Sequence, residues 1–471
     1  YQDDILQGGE VDATPIFVIN SRTEPNRHLR ENGFETENEE RTFYSQEFQL
    51  AGGAFDDFLM YTVGAFASKE KIDDTPGGGV IGPGGFIGSI NSDGSINPSP
   101  LVRGLQVASY DNESWAIFGQ GILSFNDYWQ LTLGLRYTEE TKEARQLNYI
   151  STTTLPPGTV LTREEFDALQ NAVQDLDVGD HLSDKEDWSV WTPAVTLTHF
   201  LPESWTDGAL ESGMFYLSVS EGFKAGGFTP FGTSSGNVLL PFDPEEILSY
   251  ELGAKMDLLD RTLRINTSIY HSQYDDIQLR VTRTVERPGE IDEALDGIIN
   301  AAQATMTGAE VEINWLPTNS LMFALPGAWI DAEYNEFIDE EGNGTEVDRS
   351  AEDLAYRPEQ TWSLVAQYTC DTELGELSSR ISGFYTDEVF IGLDAAAAEE
   401  EIAYLGDYVL WNFRLAVRPN AMDNLEVAAY VNNLFDERYF GTGIISTGGV
   451  GAAALIPGKQ RTFGVELAYN W

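Results

Sequence analysis

The sequence predicts an all-β protein, an antiparallel transmembrane β-barrel, and three observations carry that expectation. Apolar and polar residues alternate strictly along many short segments, and short turns alternate with long polar stretches along the chain. No apolar run is long enough for a membrane-spanning helix; the longest, LMFALPGAWI (321–330), is broken by Pro326 and Gly327. A barrel strand needs only about 9–11 residues, half of them facing lipid, so a barrel escapes that limit.

The alternation is legible strand by strand. In LTLGLRY, Leu131, Leu133, Leu135 and Tyr137 share one face, while Thr132, Gly134 and Arg136 share the other. TLRINTSIYH sets Leu263, Ile265, Thr267 and Ile269 against Arg264, Asn266, Ser268 and Tyr270. YVLWNFRLAV sets Val409, Trp411, Phe413, Leu415 and Val417 against Asn412, Arg414 and Ala416. LEVAAYVNN places Leu425, Val427, Ala429 and Val431 together. The last segment, RTFGVELAYNW, alternates through Phe463, Val465, Leu467, Tyr469 and Trp471. Terminal residues ordinarily fray. A clean strand there is expected if it is a stave of a barrel wall, with aromatics at the membrane–water interface.

Tight turns are expected at 52–57, 125–127, 202–208, 258–262, 317–320, 371–376 and 419–424. Long polar stretches fall near 69–108, 142–185, 226–245, 281–303, 334–355, 390–406 and 440–458. Seven repeats of short turn and long loop are the rhythm of outer-membrane barrels, with periplasmic turns and extracellular loops. About fifteen strands result, the first near FYSQEFQLAGG (43–53). Counting back from a periplasmic final strand makes that first strand run inward from outside. Residues 1–42 are therefore expected to be the remnant of an extracellular loop, and 43–471 the C-terminal part of a larger barrel. PIFVIN (15–20) is the alternative, a sixteenth strand. An open set of strands would expose unpaired edges to lipid, so such a fragment alone is not expected to be stable.

Composition narrows the function. The chain has 471 residues, 27 basic against 77 acidic, for a net charge of −50, which repels nucleic acid. Ten Trp, 20 Tyr and 25 Phe argue against acidic disorder. A solvated acidic surface or a cation-attracting lumen would both account for the charge. One cysteine, Cys370, precludes an intrachain disulfide, and the four histidines have no ligand spacing. The opening YQDDILQGGE has neither a basic nor an apolar leader region, so a secretory signal is expected to be cleaved or never included. No nucleophile–base constellation stands out, and no enzymatic activity, metal site or cofactor is expected.

Five segments, in order, resemble the C-terminal barrel portion of TonB-dependent outer-membrane receptors. They are SQEFQLAG (45–52), YLSVSEGFKAGGF (216–228), SYELGAKMDLLDRTLRINTSIYHSQYDDIQ (249–278), VNNLFDERYF (431–440) and the closing RTFGVELAYNW. The resemblance implies fifteen strands of a twenty-two-stranded barrel, with the N-terminal plug domain, the TonB-binding motif and about seven strands absent. It implies the outer membrane of a Gram-negative bacterium and uptake of a scarce ligand, a ferric siderophore or similar chelate, with gating energised by TonB. The implied partners are outer-membrane lipid, the ferric chelate or another small ligand, and the TonB complex through the missing N-terminal part. A passive sixteen-stranded cation-preferring porin and a surface adhesin barrel are the competing readings.

Individual motifs are weaker. In SEGFKAGGF, Lys224 at a strand's outer end suits an anionic ligand; a loop base with ordinary packing is the plainer reading. Phe223, Lys224, Tyr274 and Arg280 are the candidate ligand contacts. Tyr137, Trp315, Tyr439, Tyr469 and Trp471 are the candidate membrane-interface aromatics, and Phe435 in NNLFDERY joins them. Asp436 and Arg438 are placed to pair across the rim. DEEGNG (339–344) begins like a calcium loop, but its twelfth position is Ser350 where a bidentate Glu is required. TREEFDALQNAVQDL (162–176) reads as a capped amphipathic helix over the barrel mouth. The glycine-rich 76–86 stretch lacks the lysine of a phosphate loop.

Overall fold

The computed structural model describes residues 17–19, 39–56, 58–74, 86–90, 96–98, 101–153, 177–205, 208–229, 241–285, 293–340, 346–391, 403–422, 424–446 and 452–469. Fifteen antiparallel strands follow one another in chain order through a single sheet. They are β1 (Glu39–Ala54), β2 (Leu59–Asp74), β3 (Leu101–Asn126), β4 (Trp129–Thr153) and β5 (Asp177–Phe200). Next come β6 (Leu210–Lys224), β7 (Glu245–Leu258), β8 (Leu263–Val285), β9 (Glu293–Thr318) and β10 (Leu321–Glu340). The sheet ends with β11 (Gln360–Thr372), β12 (Gly375–Thr386), β13 (Tyr408–Pro419), β14 (Leu425–Asn432) and β15 (Thr462–Tyr469). Glu346–Asp348 adds a three-residue ladder to the upper end of β10. All seven expected turns join consecutive strands on one side, and the long connections lie on the other. Of the strands outside the wall, most fall within those long connections.

PIFVIN does contain a strand, Phe17–Ile19, but it pairs with Phe86–Ile90 in a small sheet of its own. It does not supply a sixteenth stave. Several wall strands run further into the long-loop side than the alternation suggested, with β2 reaching Asp74 and β3 starting at Leu101. The β2 extension, SKEKIDD, is mostly charged and so carries no clear period-two signal. Cross-strand polar contacts hold it: Arg41 Nε donates to Glu70 at 2.6 Å, Asn112 Nδ2 to Glu70 at 3.0 Å, and Lys69 Nζ to Glu113 at 2.6 Å.

Register explains why the alternation works. Leu131, Leu133, Leu135 and Tyr137 pair with Leu197, Val195, Pro193 and Trp191 on β5 and with Leu123, Gly121, Gly119 and Ile117 on β3. Paired residues share a face, so one apolar outward surface continues across the wall. Aromatics border it. Trp115, Tyr137 and Trp191 form an upper row with ring centroids 5.5 and 4.8 Å apart. Below, Trp129 lies 4.3 Å from His199, and Trp315 stacks 5.7 Å from Phe323. Trp129 and Tyr137 are eight residues apart, about 27 Å along a strand at ~3.4 Å per residue, or ~20 Å along the normal at a tilt near 40°. That approaches the ~25 Å apolar band of outer-membrane barrels.

Glycines on this wall make room for aromatics on the next strand. Gly253 is in register with Tyr216, Gly308 with Tyr270, Gly327 with Trp362 and Gly383 with Trp411. In each pair the ring lies across the glycine, where a Cβ would collide with it. The glycine's weakness as a strand former is thereby offset by aromatic coverage.

The edges differ from the interior. Among the described residues no strand pairs with the outer side of β1 or of β15. Phe463 on β15 is accordingly 81 % exposed, while Phe413, on the same face two strands in on β13, is 37 % exposed. The helix expected at 162–176, Trp471, most of the 76–86 glycine stretch and residues 341–345 of the calcium-like loop lie outside the described residues.

Candidate functional site

The inward face of the wall is polar, and the connection after β6 folds over its upper end. Beyond Lys224 the chain turns in, and Gly226, Gly227, Phe228 and Thr229 are all buried. This strap is wedged between β4 and β5 on one side and β9 on the other. Phe228 packs with Ala144, Tyr110 and Trp188, its ring 6.4 Å from that of Trp188. At the far side, Thr229 Oγ1 accepts from the Ile298 amide at 3.0 Å. Gly226 is required by close approach: a Cβ there would lie 2.6 Å from both the Phe242 carbonyl and the Trp188 ring.

A short ladder of Gly227–Phe228 against Pro241–Phe242 and a set of side chains holding backbone together secure the strap. Gln278 Nε2 donates to the Ala225 carbonyl at 2.9 Å and the Asp243 carbonyl at 3.0 Å, while the Gln278 amide donates to Glu245 at 2.9 Å. Asn300 Nδ2 reaches the carbonyls of Asp243 (2.9 Å) and Asp276 (2.8 Å), and its Oδ1 accepts from the Asp243 amide at 2.7 Å. Trp188 Nε1 donates to the Asp243 carboxylate at 3.1 Å. Lys142, five residues above Tyr137 on β4, donates to the Gly226 carbonyl at 2.5 Å and sits 6.0 Å from the Trp188 ring centroid. Burial pushes the Lys142 ammonium below its ordinary pKa, against the pull of Glu140 and Glu70.

A second packed region lies above β9 and β10. Ala302, Ala304, Tyr334, Phe337 and Leu354 form a buried cluster, with Tyr274, Ile277 and Leu279 against it. Burial raises the Tyr334 phenol to about 12. Beside it Arg349 pairs with Asp339 at 2.9 Å, both almost wholly buried. Asp339, the first position of the calcium-like loop, is thus engaged by a cation of its own chain. Among the described residues no group of His, Cys, Asp and Glu could hold a metal ion.

Lower down, the inward face of β6 to β12 forms a recess of about 480 Å³ lined by Tyr216, Glu251, Lys255, Asn266, Glu310 and Glu312 among others. Tyr216 donates to Glu251, and Asn266 and Asn314 donate to Glu312 at 3.1 and 2.9 Å. Carboxylates therefore outnumber the single lysine in this lining.

The candidate contacts fall as follows. Lys224 is exposed at the upper end of β6, in register with Glu245, and Phe223 beside it lies on the opposite face, half-buried. Tyr274 pairs with Ile247 and Ala304 and packs against the upper cluster. Arg280 is in register with Ile298; its side chain lies outside the described residues. Lys224 and Tyr274 share the inward face, two strands apart, and Phe223 does not join them. Of the candidate interface aromatics, Tyr137 and Trp315 sit in the upper and lower rows, and Tyr469 is paired with Leu425 near the lower end of β15. Tyr439 leans on Tyr408, 4.3 Å between centroids, in the connection before β15.

Asp436 pairs with Arg461, at 3.8 Å, and not with Arg438. The cause is a tight turn in which Asn433 and Asp436 take positive φ, with Asn433 bonded to Glu437 in both directions. That turn aims Asp436 at the start of β15, where it also accepts from the Arg461 amide at 3.1 Å. Lys142, Trp188, Gln278 and Asn300 escaped the sequence reading altogether. Their only signal was the double glycine of FKAGGF, which marks close packing as readily as a loop.

An apolar-outside, polar-inside antiparallel wall with short turns on one side and inward-folded connections on the other defines an outer-membrane-type receptor barrel. The family model "TonB dependent receptor-like, beta-barrel" matches residues 13–434, and the chain belongs to that family. It is a family of transport receptors. The chain is 23% identical over 416 residues to the probable TonB-dependent siderophore receptor PiuA of Acinetobacter baumannii, covering 84% of this chain and 49% of that protein. It is 26% identical over 256 residues to the pesticin receptor of Yersinia pestis, covering 54% and 33% respectively. The chain thus spans about half, or less, of the length of these curated relatives. Among solved structures, the ferric yersiniabactin uptake receptor FyuA of Yersinia pestis superposes with a TM-score of 0.62 at 16% identity, over 92% of this chain and 55% of that one. The likeness to FyuA is one of fold.

Proposed function

We propose that this chain is the wall of an outer-membrane active-transport receptor that imports a scarce ligand, a ferric siderophore or similar chelate, with gating energised through TonB. The observation that carries the reading is the family match across residues 13–434, joined to a polar inward face whose upper end is narrowed by a packed strap. The strap is held by Gln278, Asn300 and Lys142. Two of the relatives are named for siderophore and metal-pseudopaline reception, which points to a metal chelate as the ligand class. Among the described residues no strand pairs with the outer sides of β1 and β15, which supports closure by further strands, since unpaired backbone in hydrocarbon costs several kcal/mol per group. The reading is tested by radioiron uptake in the host with and without the gene, across a panel of ferric chelates. Loss of uptake of one chelate on deletion, and an equal loss when the inner-membrane proton gradient is collapsed, are expected. Undiminished uptake of every chelate in the deletion strain would overturn it.

A further inference from the structure

Six of the seven short turns expose a large apolar or aromatic side chain in their connecting residues: Phe55, Tyr128, Trp205, Leu259, Leu374 and Met422. Their exposures include 79 % for Leu374, 77 % for Phe55 and 63 % for Trp205. The seventh turn carries Asn319 and Ser320 instead. Two of the six hold their residue in a conformation that favours glycine or asparagine: φ is 60° at Phe55 and 53° at Leu259. A turn selected only for closure would place a polar or small residue there.

In five of the six turns the apolar residue is adjacent to a carboxylate, as Phe55–Asp56, Asp127–Tyr128, Leu259–Asp260, Glu373–Leu374 and Met422–Asp423. The tips are also continuous with the outward apolar face. The Trp205 ring lies 6.2 Å from His199, which itself lies 4.3 Å from Trp129, and Phe58 beside the first turn meets Phe125 at 6.0 Å.

We propose that the short-turn rim is a lipid-docking surface. The six tip side chains enter the glycerol–acyl boundary of the adjoining leaflet, and the neighbouring carboxylates meet the ammonium groups of a zwitterionic phospholipid. An apolar tip left in water gains nothing from exposure, whereas interfacial aromatics and aliphatics are stabilised at that depth. Carboxylates beside the tips disfavour an anionic headgroup and suit one bearing an ammonium. This inference rests on the membrane reading above.

The test is spin-label accessibility in the full-length gene product with Cys370→Ser, reconstituted in phosphatidylethanolamine-rich bilayers. Single labels are placed by Phe55→Cys, Leu259→Cys and Leu374→Cys, with Leu133→Cys marking the wall and Asn319→Cys the polar turn. The expected result is that the three tip labels lose collisions with a water-soluble nickel chelate and gain them with oxygen, as Leu133→Cys does, while Asn319→Cys stays aqueous. Tip labels as aqueous as Asn319→Cys, with Leu133→Cys shielded, would overturn the rim assignment alone and leave the tips free for a soluble partner. An aqueous Leu133→Cys would overturn the membrane reading and this inference with it. Equal tip depth in phosphatidylethanolamine and phosphatidylglycerol bilayers would overturn the ammonium contact.

Discussion

The wall and the mouth of this molecule are built by different means. Between the two aromatic rows, position is set by strand register, with each residue fixed by its neighbours on two sides and by which face is apolar. In the strap above the upper row, position depends also on individual side chains reaching backbone carbonyls: Gln278 to Ala225 and Asp243, Asn300 to Asp243 and Asp276, Lys142 to Gly226. A periodic wall tolerates little change at its tight cross-strand pairs, yet no single polar group matters much to it. The mouth is the reverse: a few polar groups carry it.

The strongest way to break the contrast is steric. Gly327→Val puts a branched side chain into the Trp362 ring, and is expected to abolish heat-modifiable folded barrel in membrane extracts. Gly406→Val in the mouth, where a Cβ meets nothing within 4 Å, is expected to change stability by no more than about 0.5 kcal/mol. Equal behaviour of the two would erase the distinction. Next in size, Arg349→Met removes one side of a buried ion pair with Asp339 and should destabilise the 346–360 region by about 3–5 kcal/mol, read as faster hydrogen exchange there and not in β3 to β5. Gln278→Leu removes the donor to the Ala225 carbonyl, while the Asp243 carbonyl keeps only Asn300. A local cost of about 1–3 kcal/mol is expected, seen as proteolytic nicking near 223–229 with the wall intact.

Two titrations sharpen the comparison further. Lys142 is depressed by burial, so the folded strap disfavours its charged form. That penalty is full below the lowered pKa and is relieved as pH rises from there towards the ordinary 10.5, so strap protection should increase across that window and the trend should vanish in Lys142→Met. The smallest effect belongs to the exposed Lys69–Glu113 pair. Lys69 holds the Glu113 carboxyl below its ordinary range, so its contribution is present above that range and lost as pH falls through the lowered pKa. High salt screens it, and Lys69→Gln should then melt with the parent.

The wall was legible in the sequence for a physical reason. A half-apolar strand must repeat every two residues, and the turns between strands need Gly, Pro, Asn or Asp, so both leave marks that survive without neighbours. LTLGLRY and YVLWNFRLAV accordingly present the faces they were expected to present. The mouth left no such marks. Gln278 and Asn300 act through contacts 24 to 57 residues distant in sequence, and nothing local distinguishes them from any exposed amide. Asp436 misleads for the same reason, because its partner Arg461 is chosen by a turn's geometry and not by spacing. The turn tips fall between these cases: their apolar–acidic pairs stand in the sequence, but only the fold places them together on one rim.

We propose that these fifteen strands belong to a larger closed receptor barrel. The intact mass of the native protein, extracted from outer membranes, tests it most directly. A mass well above 52.1 kDa is predicted, leaving room for strands that pair with β1 and β15. A native mass equal to 52.1 kDa would contradict it.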